Sequence, residues 1–340
     1  MKTIEIQKIG SFDGLRLVQR HQPTPEPGTA LVRLHAASLN YRDLLVPLGR
    51  FPVAWDFIGR IPLSDGAGEV VAVGPGVSRV KEGDRVAATP LPNWPAGDIQ
   101  PEHIVANYGF NIDGMATEYA VLDANALVHI PDYLSFAEAA ALPCAAVSAW
   151  SCLTEGRRSV RAGDTVLILG TGGVSLFALQ FAKAFGARVI ATTSSESKAQ
   201  RLRLIGADAV INYNERPDWD VAVRELTEGL GVDRVIEIGG GGTFERSIAS
   251  TRVGGHISCV GFVTGQGGGP SPTPLLLTQA LSINFFMMGS RRHFEEMLSA
   301  MKQSQIRPVI DRTFAMEDIA AAYAHLESGT HMGKIVVTLS

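Results

Sequence analysis

Thr165-Val-Leu-Ile-Leu-Gly170-Thr-Gly172-Gly173-Val-Ser175-Leu-Phe177 runs from an apolar segment through a cluster of glycines into a second apolar segment. Residues 166–169 form a short, wholly apolar run, the pattern of a strand buried on both faces of a parallel sheet. A glycine-rich turn follows at once, and residues 174–186 then carry apolar side chains at helical spacing. Strand, glycine turn and helix start together make a pyrophosphate site. Glycines let the backbone approach the phosphates, and the free N–H groups and dipole at the helix start attract the anion. Ser175 stands where a third glycine is often found. The next strand, read over residues 188–192, ends where the residue facing the nucleotide ribose should sit. We read a dinucleotide-binding turn, with Gly170, Thr171, Gly172, Gly173 and Val174 along the phosphates.

Composition agrees with an enzyme of this kind. A chain of 340 residues should form about two domains with ample core. Its 46% hydrophobic and 19% charged residues describe an ordinary globular protein. A net charge of −4 gives no reason to expect a nucleic-acid or anionic-membrane partner. No charged-then-apolar leader follows Met1, and no apolar run is long enough to span a bilayer. Cys144, Cys152 and Cys259 suggest neither a disulfide framework nor a metal cluster. The expected location is the cytoplasm.

Two regimes follow one another along the chain. Residues 1 to about 130 read as β-rich, with strands at 31–36 and 68–73 and turns marked by Pro23-Thr-Pro25-Glu-Pro27-Gly28, Gly74-Pro-Gly76 and Glu82-Gly-Asp84. From Ser135 helix and strand alternate, with later strands at 209–211, 235–238 and 257–260 and helices at 219–227 and 244–250. Such alternation builds a doubly wound parallel sheet. A Gly/Pro loop at 265–274 precedes a strand at 283–288. The tail, with helices at 295–302 and 318–326 and strands at 309–314 and 334–339, should return to the first domain. The expected division is 1–130 with 275–340, and 131–274.

With the glycine turn placed, the chain resembles the medium-chain dehydrogenase/reductase superfamily, and within it the zinc-free quinone-oxidoreductase and enoyl-reductase branch. Its markers are Ser38-Leu-Asn40-Tyr41-Arg42-Asp43, Asp65-Gly-Ala-Gly68-Glu-Val-Val-Ala-Val-Gly74, Val77-Ser-Arg-Val-Lys81-Glu-Gly83-Asp84-Arg-Val86, Ala139-Ala-Ala-Leu-Pro143-Cys-Ala-Ala-Val-Ser148-Ala-Trp150, the Gly170 turn, and Gly329-Thr-His-Met-Gly333-Lys334. Each alone is modest; their order and spacing are specific. The resemblance implies an α/β chain: a GroES-like β-barrel catalytic domain from both chain ends, a Rossmann domain between, and an active site in the cleft.

Zinc is the first fork. Alcohol dehydrogenases of this superfamily hold catalytic zinc with a cysteine near the Asn40 segment, a Gly-His-Glu before the Gly-Ala-Gly stretch, and a later cysteine or acid. Here the first segment has no cysteine, and Ser64-Asp65 stands where His-Glu would. The four clustered cysteines of the structural site are also absent, since residues 91–115 contain none. Asp43, Asp65 and His103 are the remaining donors for a cryptic site, a poor set for zinc; no metal is expected. Without a Lewis acid to lower an alcohol's pKa, hydride transfer to an electron-poor quinone or conjugated alkene is favoured.

In enoyl-reductase domains the Asn-Tyr-Arg-Asp pattern lies beside the nicotinamide, and its tyrosine is implicated in protonating the carbon next to the carbonyl. The resemblance therefore nominates Asn40 and Tyr41 as catalytic. A phenol can donate a proton or hydrogen-bond an enolate oxygen at neutral pH, and packing against the barrel is the alternative for Tyr41. Arg42 and Asp43 are read as a structural pair.

Cofactor choice turns on the end of the second Rossmann strand. An Asp or Glu there would bind the ribose hydroxyls and repel a 2′-phosphate. Thr193 stands there instead, followed by Ser194, Ser195 and Lys198. Hydroxyls and an ammonium suit a phosphate dianion. Tyr213 beyond Lys198 resembles a lysine-to-tyrosine arrangement of NADPH-dependent quinone reductases, whereas Glu196 could instead contact a ribose. NADP(H) is expected over NAD(H).

The resemblance places Ser148 near the nicotinamide ribose, with plain helix packing as the alternative. Gly239 after the fourth strand and Gly261, Phe262 and Val263 after the fifth are assigned to the cofactor because ligands bind at strand C-termini. Ser290 and Arg291 are the last candidates. The expected protein is a zinc-independent NADPH-dependent reductase of a small electrophile, dimeric through edge-to-edge Rossmann sheets. An alcohol dehydrogenase without zinc and a non-catalytic NADPH-binding sensor or structural protein are the rivals.

Overall fold

The computed structural model describes residues 1–51, 56–265, 276 and 278–339. In chain order, β1 (Lys2–Ile6), β2 (Leu15–Gln19) and β3 (Thr29–Leu39) lead to the short helix α1 (Tyr41–Leu45). Then come β4 (Asp65–Val73), β5 (Arg85–Ala88), β6 (Tyr119–Asp123), β7 (Leu127–His129), α2 (Phe136–Ala140) and α3 (Ala145–Thr154). The middle of the chain alternates: β8 (Thr165–Leu169), α4 (Gly173–Ala184), β9 (Arg188–Thr193), α5 (Glu196–Ile205), β10 (Ala209–Asn212), α6 (Trp219–Leu226), β11 (Val232–Glu237), α7 (Phe244–Ser250), β12 (Thr251–Cys259) and β13 (Ser282–Phe285). The tail holds α8 (Arg291–Ser304), β14 (Ile310–Ala315), α9 (Ile319–Glu327) and β15 (Lys334–Thr338). Beyond Gly265, the expected 265–274 loop lies outside the described residues.

These elements fall into two compact units, Met1–Val147 with Gly289–Ser340, and Ser148–Met288. The divisions differ from those near 130 and 274 suggested by composition. Local contacts explain the shift. Ser135 caps α2, its hydroxyl accepting from the Glu138 N–H at 3.2 Å while Glu138 accepts from the Ser135 N–H at 2.8 Å; the Ala140 carbonyl then accepts from the Ser38 hydroxyl of β3 at 2.8 Å. At the other boundary β13 pairs with β12, which keeps residues 282–285 in the second unit.

In the first unit the strand order is β14-β15-β3-β4-β5-β7, with β6 also on β3. The tail does return: β15 lies antiparallel to β3, with Ile335 opposite Leu39. Leu34, Val70, Phe110, Met115, Tyr323 and Val337 are among the side chains filling its core. This is the GroES-like half. In the second unit all pairings are parallel and the order is β10-β9-β8-β11-β12-β13. Counted from β8 this is 3-2-1-4-5-6, the dinucleotide-binding order, which reverses direction between β8 and β11. β8 is flanked by β9 and β11, which accounts for its unbroken apolar run. No helix among the described residues is long and apolar enough to cross a membrane.

Candidate active site and cofactor turn

The glycine turn closes β8 at the switch point. Gly170 has φ +70°, a conformation that favours glycine, and its N–H donates to the Thr192 carbonyl at 3.0 Å. Gly170 therefore shapes the turn and its N–H serves the sheet. The first N–H groups of α4 have no intrahelical acceptor. A Cβ built on Gly172 would meet no atom within 4 Å, so this glycine leaves open room for a ligand rather than relieving a clash. Thr171 is buried, while Gly172, Gly173 and Val174 are half-buried. Ser175 replaces the third glycine usefully: fully buried, its hydroxyl donates to the Leu169 carbonyl at 2.6 Å and pins helix to strand.

The loops after β11 and β12 are stitched to one another. Thr264 donates its hydroxyl to the Gly239 carbonyl at 2.8 Å and accepts from the Gly242 N–H at 2.9 Å. A Cβ on Gly261 would come within 2.5 Å of the Ile238 carbonyl, so a side chain there would push the strands apart. Sequence reasoning missed the organiser of this turn, Glu237. Buried, it accepts at one oxygen from the Gly239 and Gly240 N–H groups, at 2.6 and 2.9 Å, and from the Thr243 hydroxyl at 2.6 Å. The Ser247 hydroxyl donates to its other oxygen. An acid between an apolar strand and a glycine run was the available signal. Phe262 and Val263 are partly exposed beside this turn, and Ser148 is buried on α3.

At the end of β9 the candidates separate. Thr193 is only 1% exposed, its hydroxyl has no hydrogen-bond partner among the described residues, and its carbonyl accepts from the Tyr213 N–H at 2.9 Å. Ser195 caps α5, accepting from the Lys198 N–H at 3.4 Å. Ser194 and Lys198 are half-buried and Tyr213 is exposed. Glu196 is engaged by Arg203 at 2.7 Å. Ser290 and Arg291 belong to the first unit, where both are committed to structure. The Ser290 hydroxyl caps α8, and Arg291 donates to the Asn125 carbonyl at 2.7 Å.

Within the first unit a buried polar cluster surrounds Asn40. Tyr41, 36% exposed, opens α1 directly after it. The Asn40 N–H donates to Asp43 at 2.8 Å, while the Asn40 side-chain oxygen accepts from Lys334 Nζ at 2.6 Å. Lys334 Nζ also donates to the Leu39 carbonyl at 2.6 Å and lies 3.9 Å from Asp65. Asp65, fully buried, accepts from the Ser64 hydroxyl at 2.7 Å and the Cys144 N–H at 3.0 Å. Burial pushes the Asp43 carboxyl up to about 6, opposed by Arg42 and aided by Asp65. It pushes the Cys144 thiol up to about 12. Arg42 lies over the Phe110 ring at 3.9 Å and donates to the Asn107 side-chain oxygen at 2.5 Å. Lys334 closes a C-terminal sequence motif, and its place beside Asn40 depends on β15 meeting β3.

Two family models match the chain: an alcohol dehydrogenase GroES-like domain over residues 26–132 and a zinc-binding dehydrogenase over 173–303. A zinc-type alcohol dehydrogenase-like protein of Schizosaccharomyces pombe is 40% identical, over 98% of this chain and 97% of the relative. The chain belongs to the medium-chain dehydrogenase/reductase superfamily. It is a nicotinamide-dependent oxidoreductase of that family. The acryloyl-coenzyme A reductase of Metallosphaera sedula, another member, is 30% identical over 99% of this chain and 100% of its own. A solved NAD-dependent alcohol dehydrogenase is 34% identical, covers both chains completely and superposes with a TM-score of 0.91.

Family membership raises both a nicotinamide cofactor and a zinc ion, and the residues treat them differently. The turn at Gly170–Gly172 has the open approach and free helix-start N–H groups that a dinucleotide pyrophosphate needs. Around Asp65 the donors do not suit zinc. Ser64 replaces an imidazole, the Asp65 oxygens are already engaged, and an ammonium, itself unable to ligate, sits among them.

Proposed function

We propose that this chain is a zinc-independent, NADPH-dependent reductase acting on a quinone or a carbonyl-conjugated alkene, in the cytoplasm and as a homodimer. The observation that carries the reading is Lys334, whose ammonium lies among Asn40, Leu39 and Asp65, the segments in which the sequence lacks the usual zinc ligands. With that donor set, activation must come from the acceptor's own conjugation and from hydrogen-bond donors. A bound reduced nicotinamide supplies the hydride. Tyr41 would hold a phenolic proton for the carbon next to the carbonyl or for the enolate oxygen, and Asn40, fixed by Lys334, would set where that phenol stands. The acryloyl-coenzyme A reductase relative supports the conjugated-alkene part of the reading.

The preference for NADPH is supported at the end of β9. No acid points from that strand at a ribose, Glu196 is held by Arg203, and Ser194, Lys198 and the first N–H groups of α5 offer donors for a 2′-phosphate. The dimer is supported by β13, an edge strand with Phe285 81% exposed. The deciding experiment is steady-state NADPH oxidation with a panel of quinones, enones and unsaturated thioesters, run with chelator alongside alcohol oxidation with NADP⁺ and NAD⁺. Reduction that persists in chelator is the expected result. Alcohol oxidation alone, lost with about one zinc per chain on chelation, would reject the reading.

A further inference from the structure

The parallel sheet of the second unit has a second polar end. The glycine turns follow the C-terminal ends of β8, β11 and β12. At the opposite ends, a cavity of about 250 Å³ is lined by Arg157, Arg158, Arg234, Arg252, Asp164 and Asp233, with His256 and Gly254 among the remaining walls. In register, Arg234 lies opposite both Val166 and His256.

Much of this charge is spoken for. Arg234 donates to the Cys152, Glu155 and Arg158 carbonyls, closing off the C-terminal end of α3. Arg158 holds Asp164 at 2.5 and 2.9 Å, and Asp233 accepts from Arg158 at 3.2 Å and from Arg252 Nε at 2.7 Å. Two lining carboxylates thus face four guanidinium groups, with Glu155 adding its charge near Arg234. Arg157 has no hydrogen-bond or ion-pair partner among the described residues. Its Nη1 and that of Arg252 flank the same backbone: a Cβ on Gly254 would lie 3.8 Å from the first and 3.7 Å from the second.

His256 supplies the independent observation. It is 4% exposed, and neither ring nitrogen has a hydrogen-bond partner among the described residues. Its ring is wedged against Gly156 so closely that a Cβ there would come within 2.3 Å of it. A buried imidazole with two unmade hydrogen bonds calls for a polar ligand. Burial and the Arg234 charge push its pKa down to about 4, so at neutral pH it offers one donor and one acceptor. A singly protonated oxyanion can accept from the ring N–H or donate to the bare ring nitrogen, whichever of the two faces it, and planar guanidinium groups suit its oxygens.

We propose that this cavity is a second ligand site, for an oxyanion of the phosphate class, held between Arg157 and Arg252 with His256 at its base. It is separate from the dinucleotide turn, since it lies at the other end of the same strands.

The test uses the full chain with saturating NADP⁺, which keeps phosphate off the glycine turn. Inorganic phosphate and glycerol 3-phosphate are titrated separately by calorimetry, and the His256 Cε1–H resonance is followed by NMR. Saturable binding that moves this resonance is expected, weakened about tenfold or more in Arg157→Gln and largely kept in Arg157→Lys. Stronger binding of the ester would identify a phosphorylated metabolite as the occupant, and stronger binding of the free ion would identify phosphate itself. Absence of saturable binding to tens of millimolar, equal affinity in Arg157→Gln, or a stationary His256 resonance in the wild type would each overturn the proposal. The last holds however well the variants fold.

Discussion

Lys334 Nζ donates to the side-chain oxygen of Asn40 at 2.6 Å, joining the start of β15 to the residue before Tyr41 across 294 positions of sequence. The bond is buried, and the same ammonium lies 3.9 Å from the fully buried Asp65. One cation therefore satisfies acceptors from two strands beside the candidate catalytic tyrosine.

Lys334→Met should destabilise the chain by about 3 kcal/mol, toward the low end for breaking a buried pair, because Asp65 keeps its Ser64 and Cys144 donors. Urea unfolding measures this. In the double variant with Asp65→Asn the loss should be smaller than the sum of the single losses. A cost below about 1 kcal/mol would mean that the ammonium is not holding this cluster together.

Asp43 sets a pH dependence of stability. Its folded pKa is raised from 3.8 to about 6, so the folded state holds the proton more tightly than the unfolded chain. The stability it contributes is complete below about pH 4 and is lost as pH rises through about 6, a change on the order of 3 kcal/mol. Asp43→Asn keeps an acceptor for the Asn40 N–H and removes the titration. Unfolding midpoints compared between about pH 4.5 and 7 should fall less in the variant than in the wild type. Parallel curves would show that the carboxyl titrates near its ordinary value.

Lys198→Ala should narrow the preference for NADPH over NADH. Loss of one charge-assisted phosphate contact costs about 1.5–3 kcal/mol, and NADH affinity should hardly change. Fluorescence titrations of both cofactors against both proteins measure it. Equal wild-type affinities for the two cofactors would reject the role given to Ser194 and Lys198.

Tyr41→Phe should slow reduction of an enone roughly 10²–10⁴-fold while leaving cofactor affinity nearly unchanged, because only the hydroxyl is removed. Quinone reduction should suffer less, since a hydroquinone anion is better stabilised and can take its proton from water. Single-turnover rates with each acceptor separate the two. An unchanged enone rate, with unchanged stereochemistry of solvent-proton incorporation, would make Tyr41 a packing residue.

The division of the chain into a β-rich half and an alternating half was legible because each rests on local pattern. The apolar run at Val166–Leu169, the glycines that follow it and the helical spacing beyond them are neighbours in sequence. They settle strand, turn and helix without help from distant residues. The parallel sheet and the return of the tail followed in the same way, as did the absence of an acid at the end of β9. What remained hidden depends on which distant backbones meet. Glu237 organises the Gly239–Thr243 turn only because its buried carboxylate faces three donors in the folded loop. Thr193, a surface candidate by position, is buried; Ser195 and Ser290 cap helices, as serine before a helix commonly does, and the Arg291 contact to the Asn125 carbonyl depends on a distant segment. Asn40 was legible as a candidate and Lys334 as part of a C-terminal motif, but nothing in the sequence pairs them. Only the antiparallel register of β15 on β3 brings them together, and only burial makes their hydrogen bond matter, because a charge removed from water must find its partners inside the protein.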